Sequence, residues 1–126
     1  MELIYPADAV VNGRGPVPVA LLYDPADPWA VTLLIAGHEW LFARELLATG
    51  LSEPAGDGDV VVRPDTGGTF GHLLLTLTTP AGCADVALPR GTVESLLAAA
   101  EALVPRGCEG IDWDSEWARL ANGPAA

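Results

Sequence analysis

The chain has 126 residues, half of them hydrophobic, and carries 17 acidic against 6 basic side chains, a formal charge of −11. That length fits one ordinary domain, able to bury most of its apolar surface without disulfide or metal staples. A field of this sign repels phosphate, so nucleic acid and anionic membrane surfaces are poor default partners.

No run of 18 apolar residues occurs, and Met1 to Val11 holds two acids and no base, so neither a membrane span nor a signal peptide is expected. The bases are Arg14, Arg44, Arg63, Arg90, Arg106 and Arg119, with no lysine. A phosphate-binding Gly-x-x-x-x-Gly-Lys loop and Schiff-base chemistry are thereby excluded. Mean hydropathy is +0.31, high for a lone soluble domain, so some surface is expected to be covered by another subunit.

Residues 1–16 read as a weak edge strand or N-terminal arm, with Val10 and Val11 before a turn at Asn12-Gly13. Val17 to Tyr23 is the first full strand, with Pro18 near its start, and Asp24 to Pro28 has turn chemistry. Trp29 to Ala36 follows, with Trp29, Val31, Leu33 and Ile35 on one face and Ala30, Thr32, Leu34 and Ala36 on the other. Both faces are apolar or nearly so, and each is expected to be covered. Gly37-His38 leads into Glu39 to Phe42 and closes a hairpin.

The segment Glu39 to Leu51 changes period partway. Trp40 and Phe42 alternate with Leu41 as in a strand, then Arg44 to Ala48 are helix formers that stop at Gly50. A strand therefore runs into a short corner helix, with Phe42, Leu46 and Leu47 on its apolar side and Arg44 and Glu45 as charges inside the block.

Ser52 to Gly58 is a polar loop, Asp59 to Arg63 a strand ended by Pro64, and Asp65 to Gly68 a turn. Phe70 to Thr79 is the best strand by composition. Pro80 to Gly82 turns it back into Cys83 to Leu88. Short strands spaced by turns indicate an antiparallel sheet. Thr92 is the expected N-cap of a long helix whose stripe is Val93, Leu96, Leu97, Ala100, Leu103 and Val104, ended by Pro105 and Gly107. Residues 122–126 read as a frayed tail. The expected fold is one α+β domain over 1–126: a twisted antiparallel sheet of six or seven strands, a short corner helix and a long C-terminal helix.

Little in the chain asks for catalysis. His38 and His72 have no ligand partner at helical spacing, and Gly56 to Asp59 lacks the later ligands of a calcium loop. Ser52, Ser95 and Ser115 sit in no nucleophile elbow, and Cys83 and Cys108 read as free thiols. No enzyme, cofactor or metal is expected. The segment that rises above background is the last one, where Trp113, Trp117 and Leu120 fall at i, i+4 and i+7 with Asp112, Asp114 and Glu116 between them. These six residues are candidates for binding a protein partner, or for docking that segment on the sheet.

The series Trp40-Leu41-Phe42-Ala43-Arg44-Glu45-Leu46-Leu47, Gly50-Leu51, Gly56-Asp57-Gly58-Asp59-Val60, Pro64, and Pro89 before a helix ending Leu103-Val104-Pro105-Arg106-Gly107 resembles the SsgA-like proteins, sporulation and cell-division regulators of actinomycetes. The likeness spans roughly residues 17–121. It implies a sheet-and-helix fold similar to the Whirly single-stranded nucleic-acid binders, associating as a trimer. It also implies a cytoplasmic, non-enzymatic factor at sporulation septa that helps to localise the division protein FtsZ or controls peptidoglycan remodelling. Its expected partners are division or cell-wall proteins, FtsZ or another SsgA-like protein among them. Single-stranded nucleic-acid binding is the alternative, and it needs a basic groove with aromatic platforms.

Overall fold

Hairpins build the sheet, and turn geometry sets their registers. β1 (Leu3–Val11) joins β2 (Arg14–Tyr23) through Asn12-Gly13, and β3 (Ala30–Ile35) joins β4 (His38–Ala43) through Ala36-Gly37. In both turns the two central residues have positive φ, 50° then 78°. That is the type I′ geometry whose twist matches two right-handed strands. The corner helix α1 (Arg44–Gly50) follows, then β5 (Val60–Pro64), β6 (His72–Thr79), β7 (Gly82–Pro89) and α2 (Arg90–Leu103). The structure, a computed structural model, describes residues 2–56, 58–65 and 71–105.

The seven strands form one antiparallel sheet in the order β4-β3-β2-β1-β7-β6-β5. This is the α+β architecture read from the sequence, with one relocation: β1 is central and not an edge. The misreading has a physical source in the prolines. Pro6 faces Ala20 of β2, while β7 pairs with β1 only at Val10 and Val11, so the other flank of Pro6 has no strand to donate to. Pro16 and Pro18 of β2 likewise lie outside Val19 to Leu22, the stretch that pairs with β3. A proline belongs on an edge, and these residues are edges locally although their strands are central.

The face of the sheet toward the helices holds the core, with Leu21, Leu33, Leu73, Leu75, Val86 and Leu88 all at 1% exposure or less. Each such side chain contributes roughly 1.5–3 kcal/mol on leaving water. α2 lies against β1, β2, β6 and β7 and buries Val93, Leu96 and Ala100. It begins at Arg90 after Pro89, two residues before the expected cap, and no side chain caps it. Thr92 is thus inside the first turn. Leu97 is half-buried and Leu103 is exposed, so the buried stripe is narrower than the apolar one. α1 leaves β4 at one end of the sheet order and meets β5 at the other. There Gly50 lies so close to Val62 that an added Cβ would sit 2.7 Å from the Val62 Cβ.

Candidate interaction surface

The opposite face of the sheet is divided. Across β1, β2, β3 and β4 the register sets Ile4, Leu22, Thr32 and Leu41 in one row. The next row is Pro6, Ala20, Leu34 and Glu39. Ile4 and Leu41, at the two ends of the first row, are each 60% exposed. Both described helices pack on the other side, and this face of β3, expected to be covered, is half-buried with no described helix over it. Trp29 also departs from its expected core face, standing 57% exposed in the turn before β3.

The other half of this face carries a polar strip that is internally hydrogen-bonded. Arg63 Nη1 donates to Thr76 Oγ1 at 2.9 Å, and Thr76 Oγ1 donates to Asp85 Oδ1 at 2.8 Å. Asp85 and Asn12 then exchange two bonds: the Asp85 N–H to Asn12 Oδ1 at 2.9 Å and the Asn12 N–H to the Asp85 carbonyl at 2.8 Å. This ladder runs from β5 to the β1–β2 turn, and it closes the seam between the two halves of the sheet. An apolar band beside a hydrogen-bonded polar strip is the pattern of a contact patch with a solvated rim.

Where β4 ends, Arg44 is 2% exposed. Its N–H donates to the Trp29 carbonyl at 2.7 Å, and its Nη1 donates to the Val104 carbonyl at 2.7 Å and to the Tyr23 hydroxyl at 3.2 Å. The Tyr23 hydroxyl in turn donates to the Pro28 carbonyl at 3.1 Å. A buried cation needs such partners, since an unpaired one costs several kcal/mol. The Trp29 turn is thereby held on the end of the core while its indole remains exposed. Adjacency to Glu45 gave the sequence reading no sign of burial. The available signal was the spacing of Arg44, Leu47 and Gly50, which are the buried residues of α1.

At the other end of the helix-side face, a cavity of about 460 Å³ is lined by Val17, Ile35, Trp40, Leu77 and Val86, with exposed His38, Thr79 and Cys83 also on its wall. His38 starts β4 and His72 starts β6, and only His38 reaches this cavity. Among the described residues no three His, Cys, Asp or Glu side chains gather as a metal site, and Cys83 is a free, exposed thiol. The candidates Trp113, Trp117, Leu120, Asp112, Asp114 and Glu116, the tail 122–126 and Cys108 lie outside the described residues. No described helix is long and apolar enough to cross a membrane.

Among the described residues, a seven-stranded antiparallel sheet with two helices on one face and exposed Ile4 and Leu41 on the other defines an α+β domain. The chain belongs to the SsgA family, described as Streptomyces sporulation and cell division protein, whose model matches residues 17–109. It is 42% identical over 125 residues to the sporulation-specific cell division protein SsgB of Frankia casuarinae, covering 90% of this chain and 86% of that one. Two solved structures share the fold. One, described through SsgB mutations that correlate with longitudinal cell division during sporulation of Streptomyces coelicolor, matches with a TM-score of 0.79 at 36% identity over 88% of this chain and 94% of that one. The other, an SsgA-like sporulation-specific cell division protein of Thermobifida fusca, matches with a TM-score of 0.72 at 31% identity over 95% and 94%.

Proposed function

We propose that this chain is a non-enzymatic adaptor of sporulation-specific cell division, acting by protein contact at the division septum. Its task there is septum-site localisation, FtsZ recruitment or control of peptidoglycan remodelling. The observation that carries the reading is the apolar band from Ile4 to Leu41, two exposed aliphatic ends on the side of the sheet opposite the one that packs against the helices. Two large aliphatic side chains at 60% exposure in one row are better explained by a partner than by solvent. A second copy of the chain, giving the homo-oligomer expected from the sequence, and a division or cell-wall protein are both partners of this kind.

Single-stranded nucleic acid gains little from the same surface. Of the four described arginines, Arg44 is buried, Arg63 and Arg90 are engaged by Thr76 and by Glu94 at 3.5 Å, and Arg14 is a single exposed cation at the start of β2. A basic groove is not assembled from them.

The test is the double variant Ile4→Lys/Leu41→Lys, first checked by circular dichroism for an unchanged fold. Sedimentation of the purified chain and pull-down with purified FtsZ are then compared with the unmodified protein. Loss of self-association or of FtsZ binding with folding intact supports the reading. Both interactions undiminished would sink it.

A further inference from the structure

The two ends of the sheet are treated differently. At the β5 end the ladder is continued by the loop after α1: the Ala55 N–H donates to the Val62 carbonyl at 2.8 Å, and the Val62 N–H donates to the Ala55 carbonyl at 2.9 Å. Pro64 removes a further donor from that strand. β4 carries no proline and no bulge, and among the described residues β3 is its one strand neighbour.

The hairpin register says which β4 groups are open. Ile35 and His38 flank the two-residue type I′ turn, so they form the pair that exchanges both backbone bonds. Alternation then points the N–H and C=O of Trp40 and Phe42 toward β3 and those of Glu39, Leu41 and Ala43 away from it. The Ala43 carbonyl sits at the N-cap of α1 and serves that helix's first turn, but the other outward groups have no backbone partner among the described residues. A row of this kind is a template for another strand.

Charge selects the strand. Glu39 is exposed on β4, and Asp27 is exposed in the turn beside the Ala30↔Ala43 end. The arginine next to that end, Arg44, is buried. A second copy pairing antiparallel about Leu41 would set Glu39 of each copy opposite Ala43 of the other, where buried Arg44 offers it no cation. We propose that β4 is a docking edge for an extended, basic segment of a protein partner, which adds as an eighth strand with a cationic side chain opposite Glu39 and an aliphatic one beside Leu41. This needs only the open edge and stands apart from the septal reading.

The experiment follows amide hydrogen exchange and affinity with a synthetic heptapeptide, Arg-Thr-Val-Thr-Arg-Thr-Val, blocked at both ends, in which arginine and valine alternate along one face of the strand. The expected result is at least tenfold slower exchange of the Glu39, Leu41 and Ala43 amides on adding peptide, with β2 amides unchanged. N-methylating the peptide throughout keeps its charge and removes its donors, and is expected to abolish that protection. Glu39→Arg, at an exposed position that leaves the fold intact, is expected to weaken binding at least tenfold. Equal binding of the N-methylated peptide, or protection appearing away from β4, would overturn the proposal. So would protection of β4 in the free protein that rises with its concentration, since the edge would then belong to a second copy.

Discussion

The Arg44 guanidinium donates to the carbonyl oxygen of Val104 across 2.7 Å inside the protein, linking residues 60 positions apart. It thus joins the first residue of α1 to the C-cap of α2, and through the Tyr23 hydroxyl it reaches the end of β2. Its guanidinium carbon stands 5.6 Å from the centre of the Tyr23 ring. The last carbonyls of a helix have no partner within it, and burial makes an unmet one costly.

Arg44→Ala is therefore expected to destabilise the fold by about 3–5 kcal/mol, combining lost charged hydrogen bonds with a cavity. Arg44→Met refills the volume without burying a charge and is expected to recover part of this. It leaves Val104 unmet, so the recovery is incomplete. Urea unfolding of the two variants decides the matter, and equal stability of Arg44→Ala and the unmodified chain would show that the bond holds nothing together.

At Gly50 two effects oppose each other. Alanine is the better helix former by about 1 kcal/mol, but its Cβ would run into the side chain of Val62, on a strand with no room to move away from α1. Overpacking of this kind costs about 1–3 kcal/mol, so the clash wins and Gly50→Ala is expected to lower the melting temperature. Adding Val62→Ala removes the clashing methyl groups, and the double variant is expected to be less destabilised than the sum of the singles, as a thermal melt of all three would show.

Asn12 combines two roles at the seam of the sheet. Its φ of 50° suits asparagine better than most residues, and its Oδ1 accepts the Asp85 N–H. Asn12→Gly keeps the turn and removes the acceptor, with an expected loss of about 1 kcal/mol. Asn12→Ala removes both and is expected to cost about 2 kcal/mol. Faster amide exchange at Asp85 in both variants, set against exchange in β3, would locate the damage at the seam.

Strand periods and turn residues made most of the sheet legible. The alternation of Leu73, Leu75 and Leu77, and the Gly, Asn and Pro punctuation between runs, place six strands within two residues or so of their ends, Arg14 at the start of β2 excepted. Position within the sheet was not legible, because proline reports whether an N–H is needed and not whether a strand is central. Pro6 and Pro18 satisfy that local rule inside β1 and β2. Arg44 was equally hidden: its partners Tyr23 and Val104 lie 21 and 60 residues away, beyond any helical spacing. The exposed band escaped for a related reason. Ile4, Leu22 and Leu41 come from three strands and become neighbours only through the register.

The same blindness bears on the tryptophans. Trp113 and Trp117 stood out in the sequence for their acidic surroundings, whereas Trp29 read as a core residue at the start of a strand. It is instead an indole held in solvent beside the end of β4, on a turn fixed by the Arg44 N–H and by the Tyr23 hydroxyl on Pro28. A large rigid side chain presented on an immobilised turn loses little entropy when a partner covers it. Trp29→Ala is expected to leave stability within about 0.5 kcal/mol, as an exposed site should. Partner binding is expected to fall about 30-fold, equivalent to roughly 2 kcal/mol for an interface anchor. Trp29→Phe, which keeps much of the apolar area, is expected to fall between the two. Urea unfolding and a binding titration against purified FtsZ give both readings on each variant. A large loss of stability with unchanged affinity would return Trp29 to the core, and leave Ile4 and Leu41 to carry the contact alone.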